Sequence, residues 1–256
     1  MNNGELLVNN NYSDFTEKNY ARLLRLAKKH YSFEFFGTKK TSPHILLRHD
    51  VDFSINRSLK LAEIENKLGI KSTYFIRIHS EFYNLFEKSI FEHVKNIISL
   101  KHAIGLHFEY PFYDNLTKKE LVNKLKSEKS LLENFFEIKI KTFSFHNPEM
   151  GNAITNDDDS LGGMINTYSK FIKNNYKYCS DSMGYWRHDR LEDLLKSQEH
   201  DRLHVLIHPE WWQKIPMSPL DRFKRCVENR AKNSSKTWKQ IIKKHNRMTP
   251  VWKGTW

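Results

Sequence analysis

Apolar residues follow two alternating rhythms along this chain. Ile45, Leu46 and Leu47 form a continuous apolar run of the kind required by a strand buried on both faces. Residues 71–78 (KSTYFIRI), 103–108, 141–145, 176–180 and 203–207 carry the β-branched and aromatic content of further strands. Between these runs apolar positions recur at helical spacing, over 14–29, 58–68, 85–100, 117–136, 164–174 and 190–196. Gly69 marks the end of the second helix. Ser218 and Pro219 open a last helix that runs to about Arg230 and resumes over 235–245. The stretch 147–163, rich in Pro, Gly and Asp, reads as a loop, and there is no internal repeat or inter-domain linker. Alternating strands and helices imply parallel strands joined by helical crossovers, hence one α/β domain.

In such folds the carboxyl ends of the strands build the active site. His49, Asp50 and Asp52 stand at the end of the first strand, and His107, His146, Asp181 and His208 stand at the ends of later ones. In an extended backbone Asp50 and Asp52 point to one side and His49 to the other. Two carboxylates so close repel unless a cation or a shared proton lies between them. The pattern suggests a divalent metal, or a metal ligand beside a general base. The bland alternative is a set of solvated acids and hydrogen-bonded histidines. Their gathering on one rim favours a catalytic zinc or a related ion with an open coordination position.

Composition narrows the setting. Hydrophobic residues make up 39% and charged residues 28% of the 256 positions, so the chain is neither disordered nor built from membrane spans. The N-terminal residues lack the basic and apolar regions of a secretory signal, which suggests a cytoplasmic protein. Cys179 and Cys226 have no CxxC spacing and read as free thiols. A net charge of +12 suits an anionic partner, including the inner face of a membrane. The charge is densest from Arg222 to Lys253, where Trp238, Trp252 and Trp256 are interleaved. No nucleic-acid module is present, so no nucleic-acid partner is expected.

In order along the chain, RHDVD, GIKSTYFIR, AIGLHFE, SFHNP, SDS with Trp186 close behind, and VLIHPEWW resemble the polysaccharide deacetylase (NodB-homology) superfamily. The resemblance spans about Pro43 to Trp212 and is closest to a divergent branch linked to bacterial surface-polysaccharide (lipopolysaccharide or O-antigen) synthesis. It implies a distorted (β/α)7 barrel over 43–216, preceded by a helical lead-in over 1–42 and followed by a basic helical tail over 217–256 packed on the barrel. It also implies metal-dependent removal of N-acetyl groups from an amino sugar, free or carried on a nucleotide or lipid. By position Asp50 matches the catalytic base and Asp52 the metal-ligand aspartate, although Val51 separates residues that are adjacent in the family. His107 matches the first histidine of an HxxxH metal motif whose second position is here Pro111. His146 is the replacement ligand, with Glu109 in reserve. Asp181 and Trp186 resemble the residues that orient the base and wall the acetyl pocket, and His208 resembles the general acid. His49, as ligand, substrate contact or cross-barrel hydrogen-bonding group, completes the expected site together with Glu210 and Trp211. Trp211 and Trp212 stack on a sugar or pack in the core. The other reading is a catalytically degenerate barrel that binds carbohydrate or an assembly partner.

Overall fold

The computed structural model describes residues 12–113, 115–147 and 157–245. Trp252, Trp256 and most of the loop expected over 147–163 lie outside these residues. Helix α1 (Glu17–Ala27) and strand β1 (Ser32–Glu34) lead into β2 (His44–Val51). There follow α2 (Ile55–Lys67), β3 (Thr73–Ile76), α3 (Lys88–Ser99), β4 (Ala103–Phe108), α4 (Lys118–Phe136) and β5 (Thr142–Phe145). The remainder comprises β6 (Ser160–Leu161), β7 (Met164–Asn166), α5 (Lys170–Asn175), β8 (Lys177–Ser180), α6 (Leu191–Ser197), β9 (Arg202–Ile207) and α7 (Pro219–Lys244).

Strands β7, β5, β4, β3, β2, β9 and β8 lie side by side in that order, each parallel to its neighbour. Strand β6 adds an antiparallel edge on β7, and β1 pairs with the first residues of β2. Four inter-strand steps separate β2 from β7, which would be about 19 Å in a flat sheet. Yet Arg48 on β2 reaches Thr167, just past β7, at 3.1 Å. The sheet is therefore curled into a barrel-like trough of seven parallel strands, in agreement with the distorted-barrel expectation, and no pairing joins β8 to β7 or β6 among the described residues.

Every residue of β2 is buried because both of its faces are covered. Ile45 and Leu47 pack toward α1 and α6 in one core, and Val51 joins a second core under α2, α3 and α4. Asp50, alternating with these residues, turns into the trough and lines its cavity. Gly105 on β4 allows a close approach: a Cβ there would sit 2.5 Å from the Phe75 ring.

Two helix expectations change. Residues 164–174 have helical spacing, but Met164–Asn166 pairs with β5, and Ser169 caps a separate short helix by accepting from the Ile172 N–H at 3.2 Å. The last helix is continuous over Pro219–Lys244. Only its base is built into the domain, through buried Arg222, and all but one of residues 231–245 are exposed. Both cysteines are free. No helix among the described residues is long and apolar enough to cross a membrane.

Candidate metal centre

Asp52 follows β2 directly, and His107 and His146 project from the ends of β4 and β5. Their ligand atoms lie within 4.8 Å of one another. His107 Nε2 is 3.3 Å and His146 Nε2 3.7 Å from Asp52 Oδ1. Tetrahedral ligands at zinc-like bond lengths are about 3.3 Å apart, so the spacing fits one ion. Two further observations support the fit. Asp52 Oδ1 is buried without a hydrogen-bond partner. His107 Nδ1 is 2.7 Å from Ser144 Oγ, which fixes the ring with Nε2 toward Asp52. His146 Nδ1 lies 3.5 Å from Glu109 Oε1 without a hydrogen bond, and its Nε2 is 3.2 Å from Asn147 Nδ2, a contact that a bound ion would replace.

Burial pushes the Asp52 carboxyl up, but the facing imidazoles of His107, His208 and His146 outweigh it and hold the group well below the carboxylate range. The expected partner carboxylate is arranged differently. Asp50 accepts two hydrogen bonds from Arg48, from Nε at 2.8 Å and Nη2 at 2.7 Å, and Arg48 is itself fixed by Thr167 and by the Tyr168 hydroxyl at 3.0 Å. Burial raises the Asp50 pKa, while Arg48 and His107 lower it further, so the carboxylate stays ionised. It lies 3.5 Å from His107 Nε2.

A second pair faces the metal ligands. His208 Nδ1 donates to Asp181 Oδ1 at 2.7 Å, and the same carboxylate accepts from the His208 backbone N–H and from Trp212 Nε1 at 2.8 Å. Burial alone would deprotonate His208, but Asp181, aided by Asp52 and Glu210, pushes it up to about 10. His208 Nε2 is 3.9 Å from Asp52 Oδ2. Asp50, Asp52, His107, His146 and His208 all line one cavity of about 570 Å³, which extends past Tyr168 and Tyr178 toward the uncoupled edge of the barrel.

Five expected substrate contacts fall elsewhere. His49 points out of the trough, donating to Glu65 at 2.7 Å and stacked on Tyr74 with ring centroids 4.2 Å apart, and does not line the cavity. Glu109 lies beside His146 but outside the residues that line the cavity. Two nitrogens of Arg77 grip it, at 3.1 and 2.6 Å, and against the effect of burial His146 and Arg77 hold it down to about 2. Glu210 is fully buried and receives no hydrogen bond from another described residue. Burial and the Asp52 charge push its pKa up, against the pull of the neighbouring His208. Trp211 is buried against Phe53, and Trp186 packs on Phe15 and Trp212; neither lines the cavity.

Sequence reasoning missed Ser144, although it stands two residues before His146 on the same face of β5 and in register with His107. It also missed the bond from Trp212 to Asp181, for which an aromatic pair in sequence gives no signal.

No family model and no curated protein matches this chain. Solved structures do show similarity. A CE4 family pseudoenzyme from Bacillus anthracis is 15% identical at a TM-score of 0.43, covering 77% of this chain and 63% of that one. A family 4 carbohydrate esterase from the same organism is 15% identical at 0.42, over 82% and 86%. A peptidoglycan deacetylase from Bacillus subtilis is 13% identical at 0.43, over 81% and 99%. The chain spans 63–65% of the length of the pseudoenzyme structures it matches.

Proposed function

We propose that this chain is a metal-dependent amide hydrolase that removes an N-acetyl or related N-acyl group from an amino sugar, presented as a nucleotide-linked or lipid-linked precursor of surface polysaccharide. The observation that carries the reading is the convergence of Asp52, His107 and His146 across one cavity from the His208–Asp181 pair. Asp52, His107 and His146 would hold a divalent ion, with zinc the best match to their nitrogen and oxygen donors. Such an ion acidifies water and polarises an acyl carbonyl.

The chain's own groups supply the proton transfers. Asp50, ionised and facing the cavity, accepts a proton from the attacking water, and Arg48 fixes the carboxylate at some cost in basicity. His208, protonated through Asp181, gives a proton to the departing amine nitrogen. Asp181 stabilises the imidazolium until that transfer and fixes the ring orientation.

Acetate release from a nucleoside-diphosphate N-acetylhexosamine, with and without added zinc, tests the proposal. Asp50→Asn should keep the metal and lose roughly 100- to 10,000-fold in hydrolysis; full activity in this variant removes Asp50 as the base. Pro111, at the position of the second motif histidine, favours a second reading in which the barrel binds carbohydrate without hydrolysing it. Saturable sugar binding without acetate release from the wild type would select that reading.

A further inference from the structure

Helix α7 is anchored at its base and unsupported beyond it. Arg222 is fully buried, donating to the Gly184 carbonyl at 3.1 Å and lying 4.7 Å from the Phe15 ring centroid. Phe223 packs edge-on against Phe53 and Phe82, and Arg230 reaches Glu87 at 3.2 Å. From there the helix continues to Lys244 with a solvent-filled groove between it and α2 and α3. An exposed stretch of helix has little packing reason to carry large apolar side chains.

It carries them nonetheless, on one stripe. At roughly 100° per residue, Leu220, Val227, Ala231, Trp238 and Ile242 fall within an arc of about 60°, opposite Arg222 and the groove. Leu220 is 59%, Val227 42% and Trp238 58% exposed, Ile242 is half-buried, and Ile241 on the shoulder of the stripe is 46% exposed. Lys232, Lys239 and Lys243 run along the other shoulder. Over 229–245 there are six Lys or Arg and no Asp or Glu.

We propose that the distal half of α7 is a peripheral membrane anchor that lies in the interface of an anionic bilayer, with the Trp238 and Ile242 stripe dipping between headgroups and the lysines against lipid phosphates. Charge complementarity selects this occupant. A second copy of the helix would set lysine against lysine, with only Glu228, already 3.7 Å from Lys232, to offset the repulsion. A nucleic acid would satisfy the lysines but leave the aliphatic part of the stripe in water. A basic flank beside a Trp-containing apolar face matches an interfacial helix on both counts. The inference stands on α7 alone and holds whether or not the metal site hydrolyses an amide. Where the substrate is lipid-linked, the anchor also keeps the enzyme on the surface that carries it.

Co-sedimentation of the full chain with phosphatidylcholine vesicles, with and without phosphatidylglycerol, tests the anchor at low and high salt. The wild type should bind the anionic vesicles only, and more weakly in salt. Lys232→Gln/Lys239→Gln/Lys243→Gln should weaken binding on the order of 100-fold, and Trp238→Ser should leave a weaker, more salt-sensitive attachment. Thermal melts of both variants should match the wild type, since the changed side chains are exposed. Equal binding to neutral vesicles, or wild-type affinity in the triple-lysine variant, overturns the proposal. So does self-association abolished by Trp238→Ser, which would assign the stripe to a second copy, or tighter binding to a duplex oligonucleotide at the same salt.

Discussion

Asp181 shows how much one side chain can set. Its two oxygens accept from the His208 ring, the His208 backbone N–H and the Trp212 indole, so it fixes the imidazole in both orientation and charge. Because the His208 pKa is raised to about 10, the ring stays protonated from acid through neutral pH and loses its proton only on the alkaline side. The proposed reaction needs His208 protonated, so the rate should fall at high pH. In Asp181→Asn that alkaline limb should move to lower pH, because the charge holding the proton has gone. A pH–rate profile of the two proteins checks this, and an unmoved limb would mean that His208 is not the acid.

At this scale the sequence was informative about which residues gather and less so about which way they face. Asp52, His107, His146, Asp181 and His208 could be placed on one rim because each ends a strand. His49 illustrates the limit. The two-residue period already turned it away from Asp50, and what receives it on the far side is Glu65, sixteen positions on in sequence and invisible to any local pattern. The resemblance makes Trp186 a wall of the acetyl pocket, and Trp211 either stacks on a sugar or packs in the core. The structure gives both rings apolar partners instead.

Among the elements, β4 is shaped by what it must admit. Gly105 pairs in register with Phe75 of β3, and the Phe75 ring lies over the space where a Cβ would stand. Gly105→Ala should therefore destabilise the fold by about 1–3 kcal/mol, the usual cost of overpacking a tight core. Phe75→Leu in the same chain should recover part of it. Equilibrium unfolding in urea measures both; an additive loss in the double variant would show that the two sites do not meet. The misread segment at 164–174 is instructive about elements as well. Its apolar spacing satisfied a helix, but the pairing of Met164–Asn166 with β5 and the cap at Ser169 divide it into a strand and a short helix. The parallel sheet itself was legible, because buried parallel strands give continuous apolar runs that helices do not. The short strand β1 was not legible, since buried Phe33 between two half-buried residues carries too little pattern.

Across the whole molecule, the two sides of β2 perform different work. The trough side holds the candidate site. The outer side holds a sealed polar cluster in which Glu65 accepts from Tyr20, Ser72 at 2.6 Å and Tyr74 at 2.9 Å, besides meeting His49. Burial would raise the Glu65 pKa, but His49, His102 and Ser72 prevail and bring it down to about 2. A folded-state pKa below the unfolded one stabilises the protein above the unfolded value, and that contribution is lost as pH falls through the folded value. Wild-type stability should thus drop between about pH 4.5 and pH 2 by an amount on the order of 3 kcal/mol. Glu65→Gln should be less stable at neutral pH and lack most of that acid-dependent step. Parallel denaturant titrations across this range would reveal it, and identical pH dependence in the two proteins would count against the cluster.

The central claim is that Asp52, His107 and His146 share one divalent ion, and elemental analysis of the purified, dialysed protein tests it most directly. The account predicts about one zinc or related ion per wild-type chain, retained in Asp50→Asn and lost in Asp52→Ala. A wild type that retains no ion when supplied with one, or an Asp52→Ala variant that retains it equally well, would contradict the account.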